Sequence, residues 1–281
     1  MVRIITDSAA DFEPQELKEK GITCIPLTVM FGDREYQENV SLSKTQFYEL
    51  MVQAPELPKT AQASPQILLD LFEDAVRCGD EAIYICLSSA LSGTYQNAVT
   101  ASRLMDSGNC YVVDSRNGTG GQRMVVEYAV KLRDEGKSAA DIVPALERFR
   151  ARVTLYACID TLKNLYMGGR ISHTTYTLGT MAQIKPIITV DRAGSVQIPA
   201  KAMGMRKGMD HLCKQTEKYR PDFDYPFYVM YTDKRENAQA LAKRFRDAGI
   251  DVPEDRIIQV GAAIGTHIGP NAVGFVYIME E

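Results

Sequence analysis

The segment ICLSSALSGTYQNA, from Ile85 to Ala98, places three serines, a glycine and a threonine between an apolar run and a helix-favouring run. A hydroxyl-rich turn at a strand end could supply a nucleophile, bind an anion through free N–H groups, or cap the next helix. A nucleophile elbow would need glycine where Ala90 stands, and a phosphate loop would need a lysine and further glycines. Spacing alone leaves anion binding and helix capping equally open for the turn around Ser92.

Two other polar turns carry candidate side chains. TDSAAD follows the first predicted strand, at the edge where ligands of open α/β sheets lie, so Ser8 is a candidate site residue. Asp11 of the same turn is predicted to cap the next helix. In KTAQASP, Ser64 is predicted to cap a helix that begins at the following proline, whereas Thr60 has no evident structural role.

A histidine and an arginine stand in glycine-containing turns. His267 lies in GTHIGP and Arg170 in MGGRI. Flanking glycines let a backbone approach another group closely. Taken separately, a structural histidine and a solvated arginine are the favoured interpretations.

The elements that must position these residues alternate along the first half of the chain. Strands are predicted at 2–5, 22–31, 82–87 and 110–114, and helices at 14–20, 43–52, 65–77, 94–105, 121–134 and 139–151. This β-α alternation predicts an α/β domain over residues 1–155, with a mostly parallel, Rossmann-like sheet covered by helices on both faces.

The second half has a different pattern. A hairpin is predicted from 186–190 and 195–202, and helices at 205–218 and 236–248 alternate with strands at 226–231, 255–260 and 272–279. Residues 156–281 are therefore expected to form an α+β domain with a mixed or antiparallel sheet, and a domain boundary is predicted near 153–160.

Composition excludes several classes of protein. The 281 residues are 45% hydrophobic and 24% charged, which is ordinary for a globular protein. The net charge of −4 argues against a nucleic-acid-binding protein, which would need a basic surface. No apolar run is long enough for a membrane span, and the early polar residues argue against a secretory signal, so a cytoplasmic protein is expected. The six cysteines form no CxxC pair and are interpreted as reduced thiols, and the three histidines lack zinc-site spacing. No metal or cofactor is expected.

Together the motifs resemble one family. They are TDSAAD at 6–11, KTAQASP at 59–65, LSGTYQNA at 91–98, VDS at 113–115, GGRIS at 168–172, IKPI at 184–187 and IGTHIGP at 264–270. In this order and over the whole length, the chain resembles the DegV family of bacterial fatty-acid-binding proteins, the acyl-carrying component of fatty acid kinase. The resemblance implies a long-chain fatty acid such as palmitate held between two domains.

By this resemblance, Thr60 and Ser92 contact the fatty-acid carboxylate and His267 stands beside it. Candidate neighbours of the head group are Ser8, Gly93 and Thr266. Hydroxyls and N–H groups suit this task because a desolvated carboxylate requires hydrogen-bond donors. The negative charge of a neighbouring carboxylate is expected to favour the protonated form of the histidine.

The resemblance also implies a partner. In the family, a separate ATP-dependent kinase converts the bound acid to an acyl phosphate for phospholipid synthesis, so this chain is expected to be a lipid carrier without catalytic residues. Arg170 is the candidate for contacting the kinase. Met203 stands where a second basic residue is expected, although Lys201, Arg206 and Lys207 are close in sequence.

Two alternatives remain at this stage. One is a small-molecule hydrolase or kinase that uses Ser92 or Asp7 as nucleophile and His267 as base. The other is a regulator that senses a lipid by burying it.

Overall fold

The structure of the protein is a computed structural model, which describes residues 1–105, 108–177 and 183–281. In chain order the strands are β1 (Val2–Asp7), β2 (Ile22–Ile25), β3 (Thr28–Phe31), β4 (Arg34–Gln37), β5 (Lys59–Ala61), β6 (Glu81–Cys86), β7 (Cys110–Asp114), β8 (Val153–Cys158), β9 (Ile184–Val190), β10 (Val196–Met203), β11 (Tyr228–Tyr231), β12 (Ile257–Gln259) and β13 (Val273–Ile278). The α-helices are α1 (Pro14–Lys20), α2 (Lys44–Gln53), α3 (Pro65–Arg77), α4 (Thr94–Leu104), α5 (Thr119–Asp134), α6 (Ala139–Phe149), α7 (Lys163–Met167), α8 (His173–Thr177), α9 (Gly204–Lys218), α10 (Arg235–Asp247) and α11 (Ala262–Ile268).

The first sheet is parallel, with the strand order β2-β1-β6-β7. Its central strand β6 is buried on both faces, since Ile83, Tyr84 and Ile85 have no exposed surface. Continuous apolar runs of this kind are typical of parallel strands covered by helices on both sides. The predicted α/β sheet is confirmed.

The second sheet is mixed, with the order β10-β9-β8-β13-β11-β12. Its pairs are antiparallel except for β11 with β12. The predicted mixed sheet and the β9–β10 hairpin are therefore confirmed. Helix α5 lies between the two sheets, and its Val125 shares one hydrophobic core with Ile83 of β6 and Val276 of β13. The division into domains at 155/156 stays a prediction.

The single strand predicted at 22–31 is wrong. The strand is interrupted at Pro26, because proline has no N–H to donate to a sheet. As a result β2 belongs to the parallel sheet, and β3 belongs to a separate antiparallel sheet of order β4-β3-β5. Strand β5 contains Thr60, which pairs with Val29 of β3, although the sequence predicted a turn there.

Local signals at helix ends are mostly confirmed. Ser43 and Gln46 form the predicted capping box of α2, and Ser64 accepts a hydrogen bond from the Gln66 N–H at the start of α3. The prediction that Asp11 caps α1 is wrong, because this helix begins only after Glu13 and Asp11 is buried with its side chain turned elsewhere. None of the helices in the described ranges has both the length and the hydropathy needed to cross a bilayer.

Candidate functional site

A cavity of about 390 Å³ lies between the two sheets. Its wall is mostly apolar: Leu87 follows β6 of the first sheet, while Leu155, Ile188 and Met230 come from strands of the second. A cavity of this size and character is typical of small-molecule sites.

Polar side chains are gathered at one part of this wall. Thr60 of β5, Ser92 before α4, Arg170 after α7 and His267 of α11 all line the cavity. The Thr60 Oγ1 and the His267 Nε2 are 3.0 Å apart, which joins residues separated by 207 positions in the chain. The structure thus brings the three predicted carboxylate-site residues, Thr60, Ser92 and His267, to one cavity.

The turn that carries Ser92 is locally ordered. The Ser92 Oγ accepts a hydrogen bond of 3.2 Å from the Thr94 N–H and lies 3.0 Å from the Thr94 Oγ1. Gly93 also lines the cavity, and a Cβ at this position would lie 3.2 Å from the Cδ of Gln62 and still closer to its amide oxygen. The N-cap residue of α4 is Gly93, which has no side chain to cap the helix. The Ser92 hydroxyl, one position earlier, accepts from the first N–H of the helix and also lines the cavity.

His267 is neutral in the described structure. Burial, and secondarily the positive charge of Arg170, lower its pKa from 6.5 to about 4. The expectation that His267 favours its protonated form concerns a histidine beside a carboxylate, and it stays a prediction. Its Nδ1 is buried without a hydrogen-bond partner among the described residues, and the ring packs against Gly168 so closely that a Cβ there would lie 2.9 Å from Cε1.

Arg170 is the cavity-lining residue with a full positive charge among those the structure describes. Its side chain is half-buried, donating from Nε to the Leu91 carbonyl at 3.0 Å and from Nη1 to the Gly168 carbonyl. These two bonds hold the guanidinium between the Ser92 turn and the Gly168 turn beside His267.

Three residues with predicted roles at the site do not line the cavity. Ser8 and Thr266 were predicted as neighbours of the head group, and Asp7 was the nucleophile of the alternative enzyme hypothesis. The Ser8 hydroxyl donates to Glu38 at 2.6 Å, and the Thr266 hydroxyl donates to the Ala262 carbonyl within α11 at 2.9 Å. Asp7 is fully buried, which raises its pKa.

Asp7 accepts hydrogen bonds from the Tyr84 hydroxyl at 2.9 Å and the Leu87 N–H at 3.0 Å. A carboxylate enclosed in this way supports the sheet edge and does not face a substrate.

A serine–histidine nucleophile is not assembled. Such a pair requires the hydroxyl and the base within hydrogen-bonding distance. In the described structure Ser92 bonds to Thr94, and His267 bonds to Thr60.

Sequence reasoning missed Thr119, which lines the cavity at the start of α5. Its φ of 48° is unusual for a β-branched residue, and its hydroxyl donates to Asp11 Oδ2. The only sequence signal is the cluster of glycines around it at 118, 120 and 121.

The basic stretch near Met203 lies elsewhere. Met203 is 56% exposed and borders a surface depression together with Lys201, Lys207 and His211, separate from the cavity wall. Arg206 is also exposed.

Comparison with known proteins gives the family. Residues 1–280 match the DegV family, which is described as uncharacterised proteins. A DegV domain-containing protein of Caldanaerobacter subterraneus is 32% identical over 277 residues, covering 98% of both chains.

Two solved structures extend the comparison to the fold. A DegV family protein from Thermus thermophilus, described by its fatty-acid binding, is 26% identical with a TM-score of 0.88, covering 99% of both chains. DegV of Bacillus subtilis, described as a fatty-acid-binding protein, is 28% identical with a TM-score of 0.86 and the same coverage. The chain belongs to the DegV family.

Proposed function

We propose that this protein binds one long-chain fatty acid, with the acyl chain in the cavity and the carboxylate at Thr60 and Ser92. The observation that carries the proposal is the cavity itself, a mostly apolar space whose wall includes the neighbouring polar groups of Thr60, Ser92, Arg170 and His267. The fatty-acid binding described for the Thermus thermophilus and Bacillus subtilis proteins supports it.

The energetics of binding an amphiphilic acid fit a cavity that is mostly apolar and has a few polar groups in its wall. Burial contributes ~0.8 kcal/mol per methylene, so a sixteen-carbon chain gains on the order of 10 kcal/mol before the entropic costs of binding. The carboxylate must then find donors, because an unpaired buried charge is strongly unfavourable. The hydroxyls of Thr60 and Ser92 supply them, and the charge of Arg170 offsets that of the head group.

We further propose that the protein is a carrier, not an enzyme. A separate ATP-dependent kinase would transfer the γ-phosphoryl group of ATP to a carboxylate oxygen of the bound acid, giving an acyl phosphate and ADP. The half-buried Arg170 would contact the kinase or the phosphoryl group. Residues 1–155 and 156–281 would act as two domains with the acid between them, in the cytoplasm, serving phospholipid synthesis.

Native mass spectrometry of freshly purified protein tests the binding. A mass increment that matches a fatty acid and is lost on delipidation is expected in the wild type and in Ser138→Ala. That control removes a helix cap of α6 outside the cavity. The double variant Thr60→Ala, Ser92→Ala should retain less acid. Equal acid content in all three proteins would contradict the head-group assignment.

A further inference from the structure

Helix α11, which carries His267, is held at its first turn by two buried carboxylates. The Gly261 N–H donates to Asp11 Oδ1 at 2.8 Å, the Ala262 N–H donates to Glu38 Oε1, and the Ala263 N–H donates to Glu38 Oε2 at 3.3 Å. Both acids are only 1% exposed. Three consecutive N–H groups without a partner inside the helix are thereby satisfied by residues more than 220 positions away.

The carboxylates are themselves fixed in place. The Ser8 hydroxyl donates to Glu38 Oε2 at 2.6 Å, and the Thr119 hydroxyl donates to Asp11 Oδ2. The ammonium of Lys44, which is 4% exposed, donates to the Asp11 carbonyl at 2.8 Å and places a positive charge nearby. Burying two acids is costly unless such partners compensate them, so their placement at one helix end requires a structural reason.

Glycine makes the approach of both acids possible. A Cβ on Gly261 would lie 2.9 Å from Asp11 Oδ1 and 3.0 Å from the Glu38 Cδ. A helix of seven residues has little stability of its own, so its position depends on such contacts. At Gly265, on the next turn, the helix packs equally closely on Tyr48 of α2, since a Cβ there would lie 3.0 Å from the Tyr48 ring.

We infer that Asp11 and Glu38 are positioning residues of the head-group site: they fix α11 so that the His267 Nε2 remains against Thr60, and they set acid affinity without contacting the acid. The inference rests on the proposed function. Thr119 extends the connection, because it lines the cavity and donates to Asp11. The Asp11 carboxylate thus accepts hydrogen bonds both from the cavity wall, at Thr119, and from the start of the helix that carries His267, at Gly261.

Two variants test this from opposite sides of the contact. Above pH 7, where Glu38 is ionised, Glu38→Gln replaces one carboxylate oxygen by an amide nitrogen that cannot accept from α11. Gly261→Ala forces the carboxylates away while leaving their charge unchanged. We expect each to weaken fatty-acid affinity at least about tenfold in fluorescent-lipid displacement. Ser8→Ala, which removes one support of Glu38, should act in the same direction with a smaller effect. The control Ser138→Ala should bind like the wild type.

The second readout follows His267 directly. Nitrogen-15 NMR of histidine-labelled protein, with the His267→Ala spectrum identifying its signals among the three histidines, should show altered ring nitrogen shifts in Glu38→Gln and Gly261→Ala, but not in Ser138→Ala. Unchanged His267 signals and affinity within twofold of wild type in Gly261→Ala would overturn the inference. If Glu38→Gln does not fold, Gly261→Ala and Ser8→Ala decide the question. A wild type that binds no fatty acid would refute the proposed function instead, and the NMR signals would still test the positioning.

Discussion

Substituting Gly168 by alanine should displace His267 without altering the backbone. The φ of Gly168 is −76°, which alanine adopts freely, so the new methyl group is the only perturbation. That methyl would lie 2.9 Å from His267 Cε1, closer still to Nδ1, and 3.0 Å from the Asn164 carbonyl. Carbon atoms pack at about 3.5–4.0 Å, so the imidazole must retreat by roughly 0.6–1 Å.

This movement is enough to disturb the contact with Thr60. A shift of such an amount, in distance or in angle, takes the 3.0 Å contact between the His267 Nε2 and the Thr60 Oγ1 out of good hydrogen-bond geometry. Losing the ordered hydroxyl of Thr60 as a donor to a buried carboxylate costs about 1.5–3 kcal/mol, which corresponds to a roughly 10- to 100-fold weaker affinity for the acid. The affinity is measured by fluorescent-lipid displacement and the midpoint of thermal unfolding by calorimetry.

Gly208→Ala is the matched control. Gly208 lies in α9, and its Cβ would lie 3.2 Å from the Cβ of Cys158 and closer to the sulfur, so the clash is of similar severity in a core away from the cavity. Both variants are expected to lose about 1–3 kcal/mol of stability through overpacking. Acid affinity that falls equally in both, or in neither, would refute the assignment of His267 to the head-group site.

Three further predictions follow from the same contacts. Thr60→Ala and Ser92→Ala should each weaken acid binding by about 10- to 100-fold while thermal unfolding stays cooperative, since each removes one donor; wild-type affinity in the double variant would contradict this. Burial and the neighbouring acid raise the pKa of Glu38 from 4.5 to about 7, so its contribution to stability is full below pH 4.5 and is lost as the pH rises through 7. Urea unfolding should show the wild type losing up to ~3 kcal/mol relative to Glu38→Gln across that window, and a pH-independent difference would argue against it. His267→Ala should weaken acid binding, since it removes the partner of the Thr60 hydroxyl, and should impair acyl-phosphate formation with a cognate kinase still more. Ester hydrolysis by the isolated chain that disappears in Ser92→Ala would overturn the carrier proposal.

Local chemistry made much of the architecture readable from the sequence. The capping box at Ser43, the cap at Ser64 and the left-handed glycine at 21 each act within a few residues, so their signals survive without tertiary context. The buried parallel strand β6 could also be predicted from the sequence, because a strand covered on both faces requires an unbroken apolar run. The motifs also identified Thr60, Ser92 and His267 as candidates; their contact with a carboxylate remains a proposal.

The tertiary structure decided what depends on distant partners. The sequence of TDSAAD suggested a cap and a head-group contact, whereas Ser8 and Asp11 instead support a helix some 250 residues away, through Glu38 and Gly261. Helix α11 could not be predicted from the sequence. A segment of seven residues with one internal glycine forms a helix only when groups elsewhere in the fold bind the N–H groups of its first turn. The charge state of His267 likewise follows from burial, a property of the folded chain that no spacing of residues encodes.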